Sequence, residues 1–368
     1  MTANNQWLTL NGNSYSLEQL KSGTFKNNLN SFEQSTLAFC HRWLTGHQEY
    51  RLLTSGSTGA PKTITITCKQ MEASARLTIH ALKLKPGDTS LICLDTKYIA
   101  GQMMLVRSLL SGMNVIAVDP PSNPFDAIPQ NQVIDFAAFV PYQLQTILLS
   151  SSSSRLNDIR CAIIGGAPVD SNTRQKIQSA RCDFYATFGM TETISHIALQ
   201  RLNGKQPQQY FEVLDGVQIE QDDRGCLVIY ADYLGREKIV TNDFVEIVSD
   251  NKFKWLGRWD NIINTGGVKV SPEKVERAIQ EIFDSLNITS RFFVTGLPDK
   301  KMHQKIALVV EAQPFEDALQ SSVEHAFEKI GRFERPRAIK FVPNFKQTET
   351  GKILREETAN LIPASTHD

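Results

Sequence analysis

Between Arg51 and Ala186 short apolar runs alternate with stretches of helical period. The runs are Arg51–Thr54, Ser90–Leu94, Asn114–Val118, Phe136–Val140, Cys161–Ile164 and Phe184–Ala186, and Gln70–Leu82 and Gln102–Leu110 carry the helical spacing. That alternation predicts βαβ units around a mostly parallel sheet. After about Val213 the runs Val217–Glu220, Cys226–Tyr230, Phe244–Val248 and Lys252–Leu256 follow one another across turn residues, as antiparallel strands do. Ser271-Pro272-Glu273 then opens a helix over Pro272–Phe283: Ser271 suits the N-cap, Pro272 the first helical position, and Glu273 the positive end of the helix dipole. An apolar strand pair (Arg291–Thr295, Ile306–Glu311), a helix over Phe315–Lys329 and a strand near Ala338–Val342 complete a small α+β module. The expectation is an α/β protein: a large N-terminal domain (1–258) with a mostly parallel sheet plus an antiparallel part, and a small mobile α+β domain (259–368). Residues 1–50 are polar and Asn-rich, with one amphipathic helix over Ser31–Leu44.

Charge excludes one class of function. Lys plus Arg (39) equals Asp plus Glu (39), so the chain lacks the cationic surplus of a generic nucleic-acid binder. Its six cysteines show no C-x-x-C spacing, which argues against zinc and thioredoxin-like sites and for reduced, mostly buried thiols. The N-terminus does not read as a secretory signal, and no apolar stretch is long enough to span a bilayer, so a cytoplasmic location is expected.

Four segments carry chemistry. Thr54-Ser-Gly-Ser-Thr-Gly-Ala-Pro-Lys62 combines small residues, which let backbone approach an anion, with hydroxyls and one cation. It departs from the G-x-x-x-x-G-K-[ST] loop, because Gly59 precedes Ala60-Pro61-Lys62; an exposed hairpin loop is the plain alternative. Tyr185-Ala-Thr-Phe-Gly-Met-Thr-Glu-Thr193 follows a strand-like run and presents Thr191 and Glu192, a hydroxyl for phosphate and a carboxylate for Mg²⁺. Gly257-Arg-Trp-Asp-Asn-Ile-Ile-Asn-Thr-Gly-Gly-Val-Lys-Val-Ser-Pro-Glu273 lies at the expected boundary, and Thr348-Glu-Thr-Gly-Lys-Ile-Leu-Arg355 presents Lys352 after a glycine.

In this order the four segments resemble the adenylate-forming superfamily of acyl-CoA synthetases, peptide-synthetase adenylation domains and luciferases, from about Arg51 to Arg355. The resemblance implies ATP, Mg²⁺ and coenzyme A as reactants and cofactors. It assigns Thr54, Ser55, Gly56, Ser57, Thr58, Gly59 and Lys62 to the β- and γ-phosphates, and Gly165, Gly166 and Ala167 to adenine. Tyr185 or Phe188, with Gly189, would lie near the base; Thr191 would contact phosphate and Glu192 would ligate Mg²⁺. Asp243 would hold the ribose and Arg258 ribose or phosphate, with Asp260 as the hinge between half-reactions. Gly266 and Gly267 would border the pantetheine tunnel, and Lys352 would contact carboxylate and α-phosphate during adenylation. The region before the phosphate loop is short for this superfamily; the acyl pocket would then be more open or completed by a partner subunit, and a homodimer is one expectation.

The stretch Tyr98–Gly112 most resembles the o-succinylbenzoate–CoA ligases of menaquinone biosynthesis. Tyr98 stands where those enzymes carry a histidine, so a gating histidine is not expected. Tyr98, Gly101, Gln102, Arg107 and His196 are the candidate acid-pocket residues, with Arg107 or the Gln102 amide recognising a second carboxylate. For Arg107 a surface helix position, and for His196 a structural role, are the competing readings. Another aryl or short-chain acyl-CoA ligase, a carrier-loading adenylation enzyme and a catalytically silent nucleotide-binding relative are the competing functions.

Overall fold

The computed structural model describes residues 7–53, 63–235, 237–347 and 353–362. Its first strands are β1 (Trp7–Leu10), β2 (Asn13–Ser16), β3 (Glu49–Leu53), β4 (Thr63–Thr67), β5 (Thr89–Ile92), β6 (Asn114–Ala117), β7 (Ile134–Phe139), β8 (Ile159–Ile164) and β9 (Asp183–Gly189). Six more complete the large sheet: β10 (His196–Arg201), β11 (Phe211–Val213), β12 (Val217–Gln221), β13 (Cys226–Ala231), β14 (Ile239–Ser249) and β15 (Lys252–Arg258). A second sheet uses β16 (Ile263–Thr265), β17 (Val268–Val270), β18 (Phe292–Asp299), β19 (His303–Glu311) and β20 (Ala338–Val342). The helices are α1 (Leu17–Ser22), α2 (Ser31–Leu44), α3 (Cys68–Leu82), α4 (Ile99–Ser111), α5 (Pro141–Leu149), α6 (Ser171–Lys176), α7 (Pro272–Ser285), α8 (Asp317–Ala326) and α9 (Arg355–Ala359).

In the large sheet β1, β6, β5, β7, β8 and β9 lie side by side and parallel. Alternate residues feed two cores: Phe136 and Ala138 face the layer of α2, α3 and α4, while Ala137 and Phe139 face the layer of α5. α3 begins on a reciprocal cap between Thr67 and Gln70, and α4, buried over most of its length, packs between α3 and the sheet. β6 flanks β5 on one side and β7 on the other, so the winding reverses between β5 and β7. Doubly wound sheets bind ligands beyond the carboxyl ends of their strands at such a switch point. β10 to β15 continue the sheet antiparallel from β9.

Two expectations are corrected. β3 stays out of the parallel sheet and pairs antiparallel with β4, so residues 54–62 connect the strands of a hairpin. The polar N-terminal reading missed β1 and β2. Their turn, Asn11-Gly12, has φ of 46° and 80°, and β1 adds to the sheet edge beside β6.

α7 starts as its sequence predicts: the Ser271 hydroxyl accepts the Lys274 N–H, and Pro272 occupies the first turn. Val275, Ile279, Ile282 and Phe283 form its buried stripe against Val294, Leu308 and Val310 of the second sheet.

Candidate active site

The strand ends expected to carry chemistry converge on one cleft. Its lining includes Tyr98 after β5, Gly165, Gly166 and Ala167 after β8, and Phe188, Gly189, Thr191 and Glu192 at the end of β9. Asp243, Arg258 and Asp260 supply the antiparallel wall.

Gly189 is required by a close approach. A Cβ there would lie 2.4 Å from the His196 Cα and 2.5 Å from the Ser195 carbonyl oxygen. The chain reverses tightly over residues 190–195, and buried Ile194 adopts a φ of 70°. For a β-branched residue that is a strained conformation, which persists only where surrounding contacts enforce it. Thr191 is half-buried at the rim of this turn and Glu192 is exposed beside it.

Among the described residues no group of three or more His, Cys, Asp or Glu side chains could form a metal cage. The Glu192 carboxylate, open to the cleft, fits Mg²⁺ instead, an ion commonly held by one or two carboxylates together with substrate phosphates and water.

Across the cleft Asp243 is buried and accepts the Trp255 indole N–H at 2.9 Å. Arg258 lies beside it, with Nη1 3.8 Å from the carboxylate, and donates through Nη2 to Asp260 at 2.7 Å. Asn242 donates to the other Asp260 oxygen at 2.7 Å. Asp260 is thus fixed by two side chains where the large sheet hands over to the second one.

Arg107 decides between its two readings. It is 1% exposed, so the surface position is excluded. Its Nη2 donates to Ser195 Oγ at 2.6 Å, and its buried Nε has no hydrogen-bond partner among the described residues. Among the described residues no carboxylate pairs with it, and burial lowers its pKa to about 9. An unpaired buried guanidinium is costly unless an anion reaches it. Arg107 and Ser195 both border the cleft, which sets the guanidinium beside the space that an anionic ligand would fill.

His196 is buried next to Ser195, with Nε2 3.0 Å from Thr78 Oγ1. Burial first, and the Arg107 charge second, hold its pKa well below the usual histidine value. The unfolded chain takes this proton below about pH 6.5, whereas the native state resists it. The stability tied to neutral His196 is therefore fully present above that pH and is lost as pH falls. Denaturant titrations should show unfolding free energy falling below about pH 6.5 by up to ~1.4 kcal/mol per pH unit from this residue. A His196→Gln variant should show a shallower fall over the same range.

Other candidates lie elsewhere. Tyr185 is absent from the cleft lining; it sits early in β9, paired with Ile163 and Arg201. Gln102 is buried outside the lining, and its Oε1 has no partner among the described residues. Gly101 admits the close packing of α4 on the turn after β5, since a Cβ there would meet the Asp95 carbonyl oxygen at 2.5 Å. Gly266 and Gly267 form the turn between β16 and β17 and lie outside the lining. Thr54, Ser55, Gly56, Ser57, Thr58, Gly59, Lys62 and Lys352 lie outside the described residues. Sequence reading missed Thr78, Ser195 and Trp255, isolated polar or aromatic residues that only the fold gathers. It also missed the half-buried ion pair of Glu276 and Arg355 (2.7 Å), although Arg355 ends the fourth motif.

A broad cleft at a doubly wound switch point, with an exposed carboxylate and a buried cation on its walls, has the make-up of an α/β enzyme that handles anionic substrates. Residues 49–222 match the AMP-binding enzyme family. A solved acyl-CoA synthetase (AMP-forming)/AMP-acid ligase II-like protein from Dyadobacter fermentans is 38% identical, with a TM-score of 0.62, over 93% of this chain and 97% of that one. The 2-succinylbenzoate–CoA ligase of Salmonella typhimurium is 26% identical over 83% of this chain and 67% of its own length. The fold is also that of Bacillus subtilis MenE, an O-succinylbenzoate coenzyme A synthetase solved with ATP and magnesium ion: TM-score 0.68, 19% identity, 84% of this chain and 69% of that one. The chain belongs to the AMP-binding enzyme family, the adenylate-forming ligases. Within it the chain is an enzyme of the acid–thiol ligase class. Among the described residues no helix is long and apolar enough to cross a membrane.

Proposed function

We propose that this enzyme activates 2-succinylbenzoate with ATP to an acyl-adenylate and transfers the acyl group to coenzyme A. The observation that carries the substrate is Arg107, a buried cation at the cleft with no carboxylate partner among the described residues. A monocarboxylic acid spends its only carboxylate on the phosphate and leaves Arg107 uncompensated; a dicarboxylic acid has a second one to pair with it. The named 2-succinylbenzoate–CoA ligases among the relatives support the same reading.

In this reading Gly165, Gly166, Ala167 and Phe188 border the adenine; Phe188 replaces Tyr185 because Tyr185 is off the cleft. Asp243 accepts from the ribose hydroxyls beside Arg258. Thr191 binds phosphate, and Glu192 holds Mg²⁺, which supplies neutralisation of phosphate charge. The Thr54–Gly59 loop and Lys62 would hold the β- and γ-phosphates. Lys352 would bring the reacting carboxylate and α-phosphate together, a task of alignment and charge rather than of proton transfer. After pyrophosphate leaves, residues 259–368 would turn about Asp260, and Gly266 and Gly267 would border the path of the CoA thiol to the acyl carbonyl. The Arg258 and Asn242 contacts to Asp260 hold one setting of that hinge.

The test is acid-dependent ATP–pyrophosphate exchange with 2-succinylbenzoate, benzoate, acetate and palmitate, followed by thioester formation with CoA. Exchange and acyl-CoA with 2-succinylbenzoate alone are expected. Equal exchange with the monocarboxylic acids and none with 2-succinylbenzoate would refute the substrate; exchange without acyl-CoA would favour a carrier-protein acceptor.

A further inference from the structure

We infer that Thr193 is a positioning residue that couples the acid pocket to the phosphate end of the cleft. The two ends share one short turn: Thr191 and Glu192 precede Thr193, and Ser195 and His196 follow Ile194. Thr193 is fully buried and lies just behind the cleft lining, of which it is not itself a part. Its hydroxyl accepts the Met190 N–H at 2.9 Å and lies 2.7 Å from the Ser195 carbonyl oxygen, to which it can donate. One side chain thus bridges the residue before Thr191 and the residue that receives Arg107.

Ile194 makes the bridge stiff. Its N–H donates to the Thr191 carbonyl at 2.9 Å, its backbone is in the left-handed region, and its side chain is buried. A tight turn of this kind does not absorb displacement at one end by local bending. When an anion draws Arg107 and Ser195 into a fixed arrangement, the Thr193 hydroxyl carries that arrangement to Thr191 and Glu192. The acid and the nucleotide should therefore bind with positive coupling, which linkage makes reciprocal.

The inference rests on the proposed function, because it takes 2-succinylbenzoate as the acid. Calorimetry would measure the affinity of the intact protein for 2-succinylbenzoate with and without Mg²⁺ and α,β-methylene ATP, which cannot release pyrophosphate. Wild type should bind the acid at least about fivefold more tightly with the analogue present. Thr193→Val, near-isosteric but without the hydroxyl, should bring that ratio to within twofold of one and slow pyrophosphate exchange about 10- to 100-fold. Thr193→Ser should restore both. Ile194→Gly, which relaxes the turn without touching the hydroxyl, should also lose the coupling.

Coupling retained in Thr193→Val or in Ile194→Gly would overturn the inference. So would a Thr193→Ser variant as impaired as Thr193→Val, which would make the methyl packing the cause. A wild-type protein that does not bind 2-succinylbenzoate would overturn the functional reading itself, and this inference with it.

Discussion

Arg107→Met is expected to melt at a higher temperature than the wild type while losing its activity on 2-succinylbenzoate. The guanidinium is buried, donates to Ser195 and leaves its Nε without a partner among the described residues. Its lowered pKa reports the same cost: the native state disfavours the charge that the unfolded chain carries freely. Because the native state binds this proton less tightly, the penalty is present at neutral pH and fades as pH rises above about 9. Methionine fills similar space without the charge. Exchanging buried charge for apolar volume is commonly neutral or stabilising by ~1–4 kcal/mol, a shift of a few degrees in melting temperature for a protein of this size. Activity should move the other way. Removing one member of a desolvated charge pair costs ~2–5 kcal/mol, so kcat/KM for 2-succinylbenzoate should fall about 30- to 5,000-fold. Thermal melts and pyrophosphate exchange on one preparation check both halves. A variant that melts lower and keeps its activity would mean that Arg107 is a structural cation.

Lys352→Ala is expected to slow adenylation about 10²–10³-fold and to leave thioester formation from preformed acyl-adenylate within about threefold of wild type. Only the first half-reaction brings a carboxylate against a polyphosphate, so only that step needs the extra cation. The stems on either side of residues 348–352 are held by contacts of their own. Gln347 pairs with Ile353, and the Leu354 N–H donates to the Lys346 carbonyl at 2.8 Å. Arg355 donates to Glu276 at 2.9 Å, and Glu276 in turn accepts the Val294 N–H. Loss of the lysine should therefore leave the segment's ends in place. Single-turnover measurements of each half-reaction separate the outcomes; equal losses in both would remove Lys352 from the adenylation step.

What was legible in the sequence follows from how local each signal is. The alternation of apolar runs with helical stretches reports burial on both sheet faces, so the parallel strands β5 to β9 could be read directly. Ser271-Pro272-Glu273 reports helix capping within three residues and located the start of α7. β3 misled because an apolar run says that a strand is buried, not which strand it pairs with; a nine-residue connection to β4 made the hairpin the closer partner. The N-terminal hairpin has a local turn signal in Asn11-Gly12, but the polar, Asn-rich composition around it resembles that of a loop and masks the short strands. At the site, Phe188, Gly189, Thr191 and Glu192 stand at one strand end and could be found as a motif. Thr78, Ser195 and Arg107 come from three separate segments, and no spacing in the chain announces their meeting. The burial of Arg107 was likewise invisible, since α4 reads as apolar with one charge until its packing between α3 and the sheet is known.

The most direct test of the central claim is the rate of AMP and acyl-CoA formation with ATP, Mg²⁺ and CoA. It compares 2-succinylbenzoate with the two monocarboxylic analogues that each lack one of its carboxyl groups. A buried cation that pairs with the second carboxylate predicts product from 2-succinylbenzoate and at least about 10²-fold lower kcat/KM for both analogues. Comparable turnover of either analogue would contradict the pairing and leave Arg107 without a part in choosing the substrate.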